Sequence, residues 1–326
     1  LNKSIKFFLN YLAGPLIFLI LCWALYKQIA GQHDLMQKRD LIYQSWKHPL
    51  LWVAVMLMFV NWGLESGKWQ LLLSHLEEVS FIKAFKSVLS GVSITLFTPN
   101  RTGEFAGRVL FVNPGHRLTA ISLTILGNMA QLLMTLLAGM VGYFVIRQMP
   151  EWSVKDPYGM RSLALEGLVL PLSMAFTLFL ALFYFRLRPV VSRVARIRIL
   201  QKIVKHLLIL ESFSRKQLLR ILLLSLLRYL VFILQYILIL DVFGAGMAWW
   251  DAFWLISVFY FLMACIPTIG FSELPLKAAV SVELFSMFSS NALGIQAASF
   301  AIWIINLALP ALAGGLLILG HKMYNK

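Results

Sequence analysis

Residues 96–112 read LFTPNRTGEFAGRVLFV, and this stretch decides how the chain is to be placed. Arg101, Glu104 and Arg108 stand together in it, with Phe97 before them and Leu110, Phe111 and Val112 after. Pro99 has no N–H to offer a helix and interrupts one. Gly103 and Gly107 lack a Cβ and let neighbouring backbone come close. Charge gathered at a helix break is ordinary in a soluble loop, but within a lipid-facing sequence it marks a buried or functional site.

The rest of the chain supplies that lipid-facing context. Of 326 residues, 60% are hydrophobic and 13% charged, with a mean hydropathy of +0.79; a soluble domain carries about a quarter charged residues. Apolar runs close to the ~20 residues that cross a bilayer occupy about 7–25, 50–73, 118–146, 163–185, 217–240 and 292–320. The first is too long for a signal peptide and lacks an A-x-A cleavage site; the chain, opening on Leu1, is expected to be preceded by further residues. The predicted fold class is an all-α integral membrane protein, a polytopic helical bundle forming one transmembrane domain over 1–326.

Lys and Arg number 29 against 14 Asp and Glu. In such a chain the excess flanks spans, following the positive-inside bias and the attraction to anionic headgroups. With no soluble basic domain, nucleic acid is excluded as a partner. Residues 186–220 are the most basic. Arg198, Gln201, Lys202 and Lys205 share one helical side, and Ile197, Leu200, Ile203, Val204 and Leu207 the other. This predicts an amphipathic interfacial helix over about 186–207 against anionic membrane lipids, a solvated basic linker being the plainer alternative. Placing 186–220 in the cytoplasm puts 147–161 outside and both termini inside, in the cytoplasmic (inner) membrane. Cys22 and Cys265 lie in apolar runs, and no pair among the six histidines has metal-ligand spacing. G-x-S-x-G, Walker A and dinucleotide fingerprints are missing too. No catalytic residue, metal or cofactor is assigned, and a homo-oligomer stays open.

KAFKSVLSGVSITLFTP (83–99) aligns without a gap on DAFWLISVFYFLMACIP (251–267), matching Ala84 with Ala252, Phe85 with Phe253 and Pro99 with Pro267. Gly103 and Glu104 follow the first proline, Gly270 and Glu273 the second. Broken backbone at membrane depth needs protein or a wet cavity to satisfy it. Each region is therefore predicted to be a re-entrant helix hairpin, with Pro99, Gly103, Pro267 and Gly270 as tip and hinge residues. Because the preceding spans run in opposite directions, the two make an inverted repeat, about 50–146 and about 217–320. Inverted repeats with discontinuous helices belong to transporters; two ordinary kinked spans are the alternative.

Arg101 and Arg108 share a helix face with Glu104 between them, within pairing distance of both. The expected role is an anion site: the arginine forks hold phosphate, Glu104 orients them, and Asn100, Thr98 and Thr102 cap the following helix. A network that only locks the hairpin is the competing reading. Glu273 and Lys277 are the counterparts at the second tip, as an ion pair, a proton carrier or a partner of the first tip. Glu65 and Lys68 are read as interfacial anchors, Gly63 and Gly67 as a helix-packing face, and Arg228 as a mid-span charge in need of a partner. Asn128 and Gln131 are assigned to helix–helix hydrogen bonding, with contact to a headgroup as the alternative.

PNRTGEFAGR (99–108) resembles the P-x-R-x-G-E-x-x-x-R pattern of the lysylphosphatidylglycerol synthase transmembrane family, which includes the flippase-like membrane domain of the multiple peptide resistance factor. ESGKWQLLL (65–73) is similar to its A-x-R-W-x-x-L-L segment, with Lys68 in place of arginine. IPTIGFSE (266–273) is similar to its second P-x-x-x-G-x-x-E element, with Phe271 and Ser272 departing from the glycine-rich form. The resemblance implies a lipid role: a flippase or transporter moving a phospholipid or lipid-linked anionic substrate, aminoacylated or otherwise modified, between leaflets. It does not imply aminoacylation, which in the synthases belongs to a soluble domain. Two further functions stay open: an integral membrane lipid-modifying transferase or its non-catalytic partner, and a transporter of a small soluble anion.

Overall fold

The structure, a computed structural model, describes residues 43–96, 98, 102–150, 165–194, 201–266 and 273–320, with isolated residues before 43. Among the described residues there is no strand. The helices are α1 Pro49–Leu73, α2 Phe81–Thr95, α3 Gly103–Val109, α4 Arg117–Ile146, α5 Leu170–Phe185, α6 Leu187–Val194, α7 Gln201–Leu207, α8 Arg215–Val242, α9 Trp249–Cys265, α10 Glu273–Phe285, α11 Ala292–Trp303 and α12 Leu309–Leu319. Five stretches are long and apolar enough to cross a membrane: Pro49–Leu73, Pro114–Ile146, Gly167–Phe185, Arg215–Val242 and Ala292–Leu319. They fall on five of the six predicted spans; the sixth, 7–25, lies outside the described residues apart from isolated positions.

Local chemistry sets the element ends. The Ser80 hydroxyl accepts the Lys83 N–H at the start of α2, and Ser214 with Gln217 forms a capping box at the start of α8. α11 and α12 form one span joined through a π turn at Ile304–Ala308. Pro310 has no N–H for the carbonyl four residues back, at Asn306, and a wider turn accommodates that loss. The π turn Leu165–Val169 stands in the same relation to Pro171.

α1 and α8 lie side by side at the centre, with α4 against both and α9 against α4. The α2–α3 hairpin folds onto α1 and is covered on its far side by α12, while α10 leans on α11. Three of these contacts require glycine, the first being α9 against α4, where a Cβ at Gly139 would fall on Phe261. A Cβ at Gly107 would run into the Ser90 carbonyl across the hairpin, and one at Gly314 into the Leu89 carbonyl between α12 and α2.

The structure revises one expectation. Gly63 and Gly67 do not form a packing face: a Cβ at either would meet nothing within 4 Å. The basic segment is described in two pieces, α6 and α7, with 195–200 outside the described residues. Leu187, Val191 and Val204 in it are buried, which ties its apolar side to the bundle.

Candidate functional site: a carboxylate hub beside two cavities

Glu65, in the last third of α1, is 1% exposed and touches three cations from three helices. Lys68, one turn on, brings Nζ to 2.8 Å from Oε2. Arg228 of α8 brings Nη1 to 2.9 Å from the same oxygen, and Arg108 of α3 brings Nη2 to 2.6 Å from Oε1. Arg108 also pairs with Glu104, one turn back on its own helix. Within this cluster three cations face two carboxylates. Ion pairs this deep persist only when their remaining donors and acceptors are also met, and the surroundings supply much of that. Lys68 Nζ reaches the Gly127 carbonyl and the Ser225 hydroxyl, both at 3.4 Å, and Arg228 Nε donates to Asn61 Oδ1 at 2.8 Å. The Arg108 guanidinium lies 5.1 Å over Trp69, and that of Arg228 lies 5.1 Å over Trp62 and 5.2 Å over Phe232.

The hairpin delivers Arg108 to the hub by a short relay. The Trp69 indole N–H donates to the Ser87 hydroxyl at 2.9 Å, which donates to the Arg108 carbonyl at 2.7 Å. α1, α2 and α3 are thereby fixed in one register. Thr98 accepts the Gly103 N–H at 2.6 Å and so closes the start of α3, as its expected capping role requires. Glu65 and Lys68 are therefore not interfacial anchors. An anchor would keep its head in water, and both are 1% exposed inside the bundle.

Two cavities adjoin the hub. One, about 250 Å³, is enclosed by α1, α4, α8, α9, α10 and α11 and is lined by Trp62, Arg228, Phe232, Tyr260, Glu273 and Lys277, among others. The second, about 310 Å³, adds Glu104 and Asn128. They share a wall containing Trp62, Gln131, Thr135 and Arg228. Arg228 thus belongs to the hub and to both cavities.

Of the residues singled out in the sequence, Glu104 lines the second cavity and accepts from Asn128 Nδ2 at 3.4 Å. Arg108 is 1% exposed, joins the hub and lines neither cavity. Glu273 and Lys277 form a 2.6 Å pair on the wall of the first cavity. Pro99, Asn100, Arg101, Pro267 and Gly270 lie outside the described residues. Sequence reasoning passed over an amide cluster beside the hub. Asn61 Nδ2 stands 3.5 Å from both Gln235 Oε1 and Asn306 Oδ1, and Gln235 Nε2 donates to the Ala54 carbonyl at 2.9 Å. The available signal was an amide set in each of three apolar spans, a pattern that calls for interhelical partners.

Residues 11–314 match the model of the family described as the lysylphosphatidylglycerol synthase TM region. No curated protein matches the chain. The match spans most of the sequence, and the chain belongs to that family.

Proposed function

We propose, from membership in this family and from the geometry of the hub, that the chain moves a phosphate-bearing lipid headgroup between leaflets. The family connects the chain to lipid modification or flipping, and the finer reading rests on one observation: Arg228 joins a surplus-positive hub to the walls of two adjoining cavities. A lipid phosphate crossing the membrane needs a cation that is already desolvated and held in place. Arginine serves well, because its planar fork stays charged and matches phosphate oxygens. The hub carboxylate positions Arg228, and the cavities give the headgroup room. The two hairpins are taken as re-entrant elements whose relative movement exposes the cavities to one side and then the other.

The test is translocation of a fluorescent phosphatidylglycerol across liposomes containing the reconstituted chain, read by a membrane-impermeant quencher. Arg228→Gln is expected to slow translocation about tenfold or more, the effect of losing a charge-assisted hydrogen bond. Thermal unfolding of the same preparation checks that the variant is folded. An unchanged rate in a folded Arg228→Gln protein rejects the proposal.

A further inference from the structure

Besides the Tyr229 hydroxyl, which has Ser257 beside it, four polar atoms on residues lining the first cavity have no hydrogen-bond partner among the described residues, and the hub does not use them. Three are donors: Trp62 Nε1, Trp303 Nε1 and Asn306 Nδ2. The fourth is an acceptor, Gln131 Oε1. All four residues line the 250 Å³ cavity. An unpaired buried donor or acceptor is costly to leave unmet, so four around one space suit a ligand with the complementary groups. Gln131 cannot relieve its acceptor by turning its amide over without loss, because Nε2 is engaged by the Ser225 carbonyl at 3.4 Å. On the Asn306 side, Oδ1 already faces Asn61, which leaves its amide N–H to the ligand.

We infer that this cavity reads both halves of a phosphodiester headgroup: Trp303, Asn306 and Arg228 take the phosphate oxygens, and the Gln131 carbonyl selects a headgroup that carries a hydroxyl or ammonium donor. The inference rests on the proposed function and adds a selectivity to it. Gln131 lies on the wall common to both cavities, so the selecting group is met in either. A phosphodiester with a glycerol or ethanolamine substituent satisfies donors and acceptor together. A choline headgroup satisfies the donors alone, since a quaternary ammonium has no N–H. The aromatic walls of Trp62, Phe232 and Tyr260 would favour choline if stacking on the cation governed selection. The two modes therefore predict opposite preferences.

The experiment is competitive binding to the full chain in nanodiscs, with phosphatidylglycerol, phosphatidylethanolamine, phosphatidylcholine, diacylglycerol and inorganic phosphate as probes. Phosphatidylglycerol and phosphatidylethanolamine are expected to bind about tenfold tighter than phosphatidylcholine, with diacylglycerol weakest. Gln131→Leu is expected to erase the preference over phosphatidylcholine, and Asn306→Leu and Trp303→Phe to weaken all three phospholipids together. Equal or tighter binding of phosphatidylcholine overturns the inference, as does a preference that survives Gln131→Leu. Inorganic phosphate binding as tightly as the lipids, with the same dependence on Asn306 and Trp303, also overturns it and marks a soluble anion as the ligand. Should Gln131→Leu be poorly folded, Gln131→Glu, which keeps an acceptor, is expected to retain the preference, and its loss there overturns the inference. Arg228-dependent translocation with no effect of Gln131, Asn306 or Trp303 rejects this inference and leaves the proposed function standing; selective binding without translocation does the reverse.

Discussion

The two hairpins share an order of features but close in different ways. In α2–α3 the arms touch directly, with Gly107 against the Ser90 carbonyl and Gly103 against that of Ile94. In α9–α10 the arms meet through the rings of Phe259 and Phe285, 5.8 Å apart, and each arm also leans on a neighbour of its own. α9 packs where a Cβ on Gly142 of α4 would stand 3.1 Å from the Trp254 carbonyl, and α10 reaches α11 through Ser281 and Ser299 at 3.2 Å. The first cavity is bordered by Tyr260 of α9 and by Glu273 and Lys277 of α10, and α1, α4, α8 and α11 complete its walls. Their bases are clasped in parallel fashion but with different chemistry. Glu77 spans the first, meeting Lys83 at 3.3 Å on entry and the Asn113 N–H and His116 at 3.2 Å on exit. Asn291 spans the second, donating to the Phe243 and Gly244 carbonyls at 3.2 and 3.0 Å. Small residues bring the arms of the first hairpin into backbone contact, whereas aromatic side chains join those of the second.

The sharpest test of that difference compares the carboxylates. Glu65→Gln leaves three buried cations around a neutral amide, and breaking a buried ion pair costs about 3–5 kcal/mol. Glu273→Gln acts on one pair, whose glutamate is 8% and lysine 20% exposed, so a smaller loss of about 1–3 kcal/mol is expected. Thermal unfolding in detergent measures both, and comparable losses would mean that the second hairpin is as rigidly built as the first. A smaller contrast comes from one added volume in each. Gly107→Val forces a side chain into the Ser90 backbone and is expected to cost about 1–3 kcal/mol. Ala279→Val on the exposed side of α10 is expected to stay within about 0.5 kcal/mol. If Gly107→Val is tolerated equally well, the arms of the first hairpin are not in contact.

The smallest expected effect lies at the foot of the first hairpin. His75 Nε2 meets Gln217 Nε2 and Nδ1 meets the Ser212 hydroxyl, each at 2.9 Å. Gln217 Oε1 is engaged by the Ser214 N–H at 2.9 Å, so its amide N–H is turned toward the imidazole, which accepts it in the neutral form. Burial holds the His75 pKa below its usual value of 6.5. The folded protein then binds fewer protons than the unfolded chain. This contribution to stability is complete above pH 6.5 and is lost as the pH falls below it toward the lowered value. The unfolding temperature of the wild type should drop over that window, and His75→Gln should flatten the drop. An identical pH profile in the variant would remove His75 from the clasp.

Much of this was legible in the chain. Hydropathy located five described spans, the Glu104–Arg108 pairing follows from helical spacing, and the need of Arg228 for a partner follows from its mid-span position. In the sequence Glu65 and Lys68 look like anchors because distance along a span says how near a residue is to the helix end. It says nothing of whether another hairpin covers it. Asn61, Gln235 and Asn306 were overlooked for a related reason: each is a single amide in an apolar run, and only their meeting gives them a role.

The sequence by itself determined the solvent, the spans and the one-turn ion pair, because burial in lipid and i,i+4 spacing are properties of a single segment. Tertiary structure alone decided that one carboxylate serves cations from three helices and that Arg228 faces two cavities. Those contacts join residues far apart in the chain. They depend on how closely glycine lets two backbones approach, as Gly107 does against Ser90, and on which helices meet around the cavities.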